Sequence, residues 1–343
     1  MKVFTRDYRI TGGYHPVFEE YFEGLKPCVL DIETTGLSPA RSKIVLTGML
    51  IRTDRGVKIV QFLAENHYEE HKVLDETMDF LKRENIGYLI TYNGAAFDIP
   101  FINARLEANF SDDRVSLYDF DLFRFLKSST DIKSRIGSLR QVAVENYFGI
   151  LEDRDDTISG RESVALFDEY ALSGNSIIEK IILTHNREDV LHLNRLMYYA
   201  PEEADRCTGL ESALASYGFP VPGGRFSIKP SIVSSGRGAN KKYMLRINGE
   251  QLKDPVSAAF FPDIDNPFSA EFSSETRLFR IDVPVEPLPS ELAGDDEICY
   301  IDAAALGIDV SDHPDCINGY LILKPAGINH AATLITEAIA NKL

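Results

Sequence analysis

The run Val29-Leu30-Asp31-Ile32-Glu33-Thr34-Thr35-Gly36-Leu37 constrains this chain more than any other stretch. It reads as a buried strand, and side chains on a strand alternate between its two faces. Asp31 and Glu33 therefore point the same way out of an apolar run. Two neighbouring carboxylates in a low-dielectric site repel strongly, so one takes up a proton or a cation sits between them. A divalent metal is the simplest answer; two solvated acids at a strand end are the bland one. The tight Thr-Thr-Gly-Leu that follows favours a site, because it lets backbone and an apolar side chain approach a ligand.

Two further segments carry acids in telling places. Asp98 lies in Tyr92-Asn93-Gly94-Ala95-Ala96-Phe97-Asp98-Ile99-Pro100, after a strand and a turn and before a proline. Asp is a favoured helix N-cap and Pro100 marks a helix start, so this segment alone favours a cap. The functional alternative is a metal ligand at the mouth of a sheet. The helix expected over 176–197 has an apolar stripe of Ile178, Ile181, Ile182, Leu193, Leu196 and Met197. His185 and Asp189 fall on that stripe, four residues apart and on one face. An Asp facing a core is costly unless paired or metal-bound. A satisfied core histidine and a buried ion pair are the alternatives, and the joint placement favours a site. Asn186 and Glu188 point elsewhere and read as surface residues.

The order of elements is mixed α/β. Residues 1–24 form a lead-in with a helical piece around 16–22. Strands follow at 28–33, 44–51 and 57–63, a helix at 69–83, a strand at 88–92, a helix at 98–107 and a strand at 115–118. Helices then run at 121–127, 138–147, 162–172 and 176–197, with Ser176 and Glu179 as a capping box and Pro201 ending the stretch. From 201 to 343 the character is strand-rich, with strands at 243–247, 277–283, 297–301 and 320–323 and a terminal helix at 331–342. The expected domains are thus 25–200 and 201–343.

Asp-Ile-Glu-Thr-Thr-Gly-Leu, Tyr-Asn-Gly-x-x-Phe-Asp-x-Pro and His-Asn-Arg-Glu-Asp-Val together resemble the three exonuclease motifs of the ribonuclease-H-like superfamily with four metal-binding acids, and most of all the bacterial YprB-type proteins. Ile158-Ser159-Gly160-Arg161-Glu162-Ser163 fits that group too. The resemblance covers roughly 25–200. It implies a ribonuclease-H-like mixed sheet flanked by helices, with a smaller strand-rich C-terminal domain. It also implies Asp31, Glu33, Asp98 and Asp189 as ligands of two Mg²⁺ or Mn²⁺ ions, and phosphodiester cleavage from a 3′ end of single-stranded DNA or RNA. Leu37 would wedge against the terminal base, Thr34 and Asn93 would hold sugar or backbone, and Phe97 would pack nearby; the ordinary alternatives are Leu37 and Phe97 as core and Asn93 as an Asn-Gly turn residue. In one branch a Tyr stands four residues before the last Asp, in another a His stands five before. Here His185 has the His chemistry at the Tyr spacing, and orients the water, acts as base or fills the space.

Charge weighs against a nucleic-acid partner: the net charge is −17 over 343 residues, and phosphates attract Lys and Arg. Metals or a local basic cluster would have to compensate. Residues 212–249 hold Arg225, Lys229, Arg237, Lys241, Lys242 and Arg246 and no acid. They read as a phosphate-gripping loop, with Lys241 and Lys242 foremost and Phe226 and Tyr243 as aromatic candidates, or as a solvated hairpin or linker. Four scattered cysteines, no signal-peptide core and no membrane-length apolar run fit a cytoplasmic protein. The rivals to the exonuclease are an endonuclease using the same acids and a catalytically weak binding scaffold.

Overall fold

The computed structural model describes residues 1–10, 12–150, 160–236, 241–263, 267–288, 299–308, 310, 316–323 and 328–343. Two compact units emerge: residues 1–20 with 24–207, and residues 21–23 with 208–343.

The first unit is built on a six-stranded sheet of β1 (Lys2–Tyr8), β2 (Lys26–Thr34), β3 (Ile44–Thr53), β4 (Gly56–Leu63), β5 (Ile86–Thr91) and β6 (Tyr118–Asp121), in the order β1-β4-β3-β2-β5-β6. The β2–β3–β4 meander and β1 are antiparallel, and β5 and β6 run parallel to β2. Ile44-Val45-Leu46-Thr47-Gly48-Met49-Leu50-Ile51 is buried throughout, which requires cover on both faces of β3. Helix α2 (Glu70–Arg83) supplies cover with Val73, Leu74, Met78 and Leu81 at helical spacing. Helix α8 (Ser176–Leu196) also packs on β2 and β3. Helices α1 (Pro16–Tyr21), α3 (Asp98–Ala108), α4 (Leu122–Ser129), α5 (Ile132–Ile136), α6 (Gln141–Tyr147), α7 (Gly160–Ser173) and α9 (Ala200–Thr208) complete the unit.

Several details differ from the sequence expectation. Residues 2–8 are a strand pairing with β4 rather than part of a lead-in. Their pattern hides this, because an edge strand with Arg6 and Asp7 shows no continuous apolar face. The β6 strand lies three residues beyond the expected 115–118, since Asp121 caps α4 by accepting the Arg124 N–H. Asn175, not Ser176, caps α8, accepting from the Ile177 N–H at 2.9 Å. Glu179 is instead engaged by Lys2 and by the Tyr170 hydroxyl. Pro201 sits in the first turn of α9, where proline is tolerated.

In the second unit, helix α10 (Leu210–Tyr217) precedes nine strands, β7 (Phe219–Pro220), β8 (Phe226–Ser235), β9 (Lys242–Gln251), β10 (Ala258–Phe260), β11 (Ser269–Phe272), β12 (Leu278–Pro287), β13 (Cys299–Asp302), β14 (Cys316–Ile317) and β15 (Tyr320–Leu323). The path is β14-β15-β13-β12-β9-β8-β7, with β11 beside β12 and β10 beside β11, all antiparallel. One face carries Phe226, Ile228, Leu245, Ile247, Phe279 and Ile281, and the terminal helix (Ile328–Ala340) packs Ala331, Ala332, Ile335 and Ile339 into the same core. No helix of the described residues is long and apolar enough to cross a membrane. All four cysteines are free thiols.

Candidate metal centre

On β2, Asp31 pairs with Gly48 and Glu33 with Leu46, while Ile32 between them faces the opposite side and is buried. The Asp31 carboxylate accepts a hydrogen bond from Asn186 Nδ2 at 2.8 Å. Asn186 Oδ1 in turn accepts from Gln61 Nε2 at 2.8 Å, and Gln61 also donates to the Leu183 carbonyl at 3.0 Å. Gly48 makes this possible. A Cβ there would sit 2.0 Å from Asn186 Oδ1. Asn186, expected on the surface, is therefore fully buried between α8 and the sheet.

Asp98 opens α3 but does not cap it: the cap position is Phe97, without a side-chain bond. The Asp98 carboxylate turns toward β2 and accepts the Ile32 N–H at 3.3 Å. Glu33 is held by the Ser163 hydroxyl of α7 at 2.9 Å. His185 Nε2 lies 3.7 Å from Glu33 Oε1 and 3.7 Å from Asp189 Oδ2. A ligand atom from each of Glu33, His185 and Asp189 falls within 4.8 Å of the others.

The electrostatics agree with the geometry. Burial, then the charges of Asp189, Asp98 and Glu33, push Asp31 well above the usual carboxylate range, against the Asn186 hydrogen bond. Burial likewise pushes Asp98 up to about 7, opposed by its own N–H and that of Ile32 and reinforced by Asp121 and Glu33. Four like charges converge from β2, α3 and α8, with an imidazole among them. Such a donor set fits hard divalent cations, which take carboxylate oxygens.

Glu188 corrects the second surface expectation. It is buried, because α6 covers the side of α8 that faces away from the sheet. There Glu188 bonds Arg187 at 3.0 Å, and His192 lies 3.3 Å from Glu145 and 3.6 Å from Glu188. Gln141 of α6 donates to Glu145 and to the Asp189 carbonyl, tying this network to the acid-bearing turn.

The remaining sequence candidates are scattered in character. The Thr34 hydroxyl is spent on the Gly36 carbonyl at 2.8 Å. Leu37 is 86 % exposed, so it is no core residue. Asn93 adopts a left-handed backbone (φ 66°), and its N–H donates to Asp121 at 2.9 Å. Phe97 is half-buried, packs against the core and sits 5.4 Å from the Phe101 ring. In the second unit Lys241 and Lys242 are exposed, with Lys241 Nζ 4.5 Å from the Tyr243 ring centroid. The acid-free stretch runs from α10 through β7 into β8 and β9, which pair antiparallel. There Phe226 is buried core rather than a stacking platform, and Arg246 is paired with Asp282 at 2.7 Å. Arg237, Ile158 and Ser159 lie outside the described residues.

Sequence reasoning missed Gln61 and Asp121 and the roles of Ser163 and Gly48. A glycine inside an apolar strand is a usable signal, since it marks a close approach. Asp121 is fully buried and accepts N–H groups from Asn93, Ala95 and Arg124, fixing the turn that leads to Asp98.

No curated protein sequence matches the chain. Among solved structures the chain is similar to the family B DNA polymerase from the hyperthermophilic archaeon Pyrobaculum calidifontis, at 15% identity and a TM-score of 0.42, covering 92% of this chain and 46% of that one. The chain thus spans less than half the length of that polymerase. Residues 28–200, half of the chain, match the family model described as RNase_H superfamily: the chain belongs to that superfamily.

Proposed function

We propose that the protein is a metal-dependent 3′→5′ exonuclease acting on single-stranded DNA or RNA, of the YprB type. The observation that carries this reading is the convergence of Asp31, Glu33, Asp98 and Asp189 in one cluster where burial and mutual repulsion raise the carboxyl groups of Asp31 and Asp98. Two divalent ions bound by these acids would stabilise the attacking and leaving oxygens of an in-line displacement. His185, between Glu33 and Asp189, takes the proton from the attacking water, a task for which an imidazole ring nitrogen is suited. Asn186, Ser163 and the Ile32 N–H hold three of the carboxylates in place. Exposed Leu37 meets the terminal base. Thr34 and Asn93 line the sugar side, with Phe97 behind them. Lys241 and Lys242 contact phosphates.

The test is purified protein with end-labelled single-stranded DNA and RNA, in Mg²⁺, Mn²⁺ or EDTA. A ladder shortening from the 3′ end in metal, and none in EDTA, is expected. Internal cuts would make it an endonuclease with the same acids. No product in either metal would leave a binding scaffold.

A further inference from the structure

Tyr68 is 86 % exposed. A single exposed aromatic is ordinary on a protein surface, but the loop that carries this one is firmly fastened. The Tyr68 N–H donates to Asn66 Oδ1 at 2.9 Å. Glu69 receives the Glu65 N–H and the Met1 amino group. Lys43 Nζ donates to the His67 carbonyl at 2.6 Å. His67 itself lies 3.2 Å from Asp168 and edge-on to Phe167, ring centroids 5.2 Å apart. A loop held at this many points that still leaves its aromatic ring in water is preorganised to offer that ring.

Its place is equally informative. Lys43 exchanges two hydrogen bonds with Thr35, both at 2.9 Å, two residues beyond Glu33. Phe167 and Asp168 stand on α7 about one turn past Ser163, whose hydroxyl holds Glu33. The Tyr68 loop is thus tied on one side to Thr35, two residues from Glu33, and on the other to α7, whose Ser163 holds Glu33. Lys43 Nζ sits 5.6 Å from the Tyr68 ring centroid, within cation–π range. One of its three donors is used on His67, and it forms no ion pair with a carboxylate among the described residues. In a chain of net charge −17, a lysine with donors to spare beside an exposed ring is a place for an anion.

An exposed aromatic face next to an anchored cation is the pairing that single-stranded nucleic acids use, bases on rings and phosphates on cations. We propose that Tyr68 stacks an unpaired nucleobase of the strand that enters the acidic cluster and that Lys43 contacts the adjoining phosphate. This rests on the nuclease reading and adds to it a base-binding subsite that requires unpaired substrate.

The test uses the full chain and a fluorescent single-stranded oligonucleotide in EDTA, with cleavage measured separately in Mn²⁺. Tyr68→Ala should weaken binding about tenfold, within the roughly 5- to 150-fold range of one lost base–aromatic stack. It should raise KM, hold kcat, and leave the melting temperature unchanged because the ring is exposed. Tyr68→Phe keeps the ring and should bind as the wild type does. Lys43→Gln should flatten the log–log salt dependence of binding by about 0.7. An abasic position opposite the ring should erase the difference between wild type and Tyr68→Ala. Wild-type affinity in Tyr68→Ala, or equal weakening in Tyr68→Phe, overturns the stacking site while wild-type cleavage keeps the nuclease reading. A wild type that neither binds nor cuts single strands overturns both.

Discussion

Asp31 in the first unit and Asp282 in the second both sit on sheet strands with little exposure, and their surroundings drive them in opposite directions. Asp282 accepts hydrogen bonds from Arg246 and Arg280, and despite the cost of burial these hold its carboxyl below the usual range. Asp31 has an amide for a partner and three other carboxylates for neighbours, and its carboxyl is driven up. The first arrangement is closed: charge meets charge inside the protein, and nothing more is needed. The second is open, since the charged groups that act on Asp31 carry its own sign. Like charges held together by neutral donors such as Asn186 and Ser163 store repulsion that a proton or a metal relieves.

The strongest way to break that contrast is to remove an acid from each side. Asp31→Ala or Asp98→Ala should reduce nuclease activity by about 10³-fold or more. The metal-free melting temperature should hold or rise, because repulsion is relieved. Retained turnover, or a clear loss of metal-free stability, would place these acids with Asp282 as structural groups. His185→Ala should slow cleavage by about 10²-fold while Mn²⁺ affinity, followed by isothermal titration, changes little. A rate within a few-fold of wild type would make His185 a packing residue.

The pH dependence of stability sharpens the comparison. Burial pushes Asp119 on β6 up to about 8, reinforced by Asp121 and Asp98 against a hydrogen bond from Thr91. A carboxyl raised in the folded state binds more protons folded than unfolded, so its contribution to stability falls as pH rises from about 4 to about 8. Metal-free protein should therefore lose melting temperature across that window, and Asp119→Asn should reduce the loss. Asp282 is lowered, so the sign reverses: its contribution is present above about pH 4 and disappears as pH falls through the folded value. Asp282→Asn should lower the melting temperature at about pH 7 and converge on wild type under strong acid. Parallel profiles for the two variants would refute the contrast.

The smallest expected effect lies in the exposed lysines of the second unit. If Lys241 and Lys242 touch phosphates, replacing both by Gln should flatten the salt slope of single-strand binding by roughly 1.4 units, with the rate at saturating substrate unchanged. An unchanged slope would make Lys241 and Lys242 ordinary solvated residues.

Much of the first unit was legible in the chain because its signals are local. Strand alternation put Asp31 and Glu33 on one face, and the four-residue helical spacing put His185 and Asp189 on another. The motifs' order gave the superfamily, and the strands of the β2–β3–β4 meander fall within a few residues of their expected places. The supporting contacts were not legible, since each joins distant segments. Asn186 reaches Asp31 across 155 residues and Ser163 reaches Glu33 across 130. Periodicity assigned Asn186 and Glu188 to solvent because it assumes a helix buried on one face. Helix α8 has β2 and β3 on one side and α6 on the other, so nearly every polar residue from Asn186 to Asn194 needed an internal partner. By itself the sequence determined the residue types and the faces they occupy, which follow from bond geometry over a few residues. Only the tertiary structure decided which acids share one space, which polar groups hold them, and that Lys43 lies beside Tyr68. Those outcomes depend on how separated elements pack, and no local period encodes that.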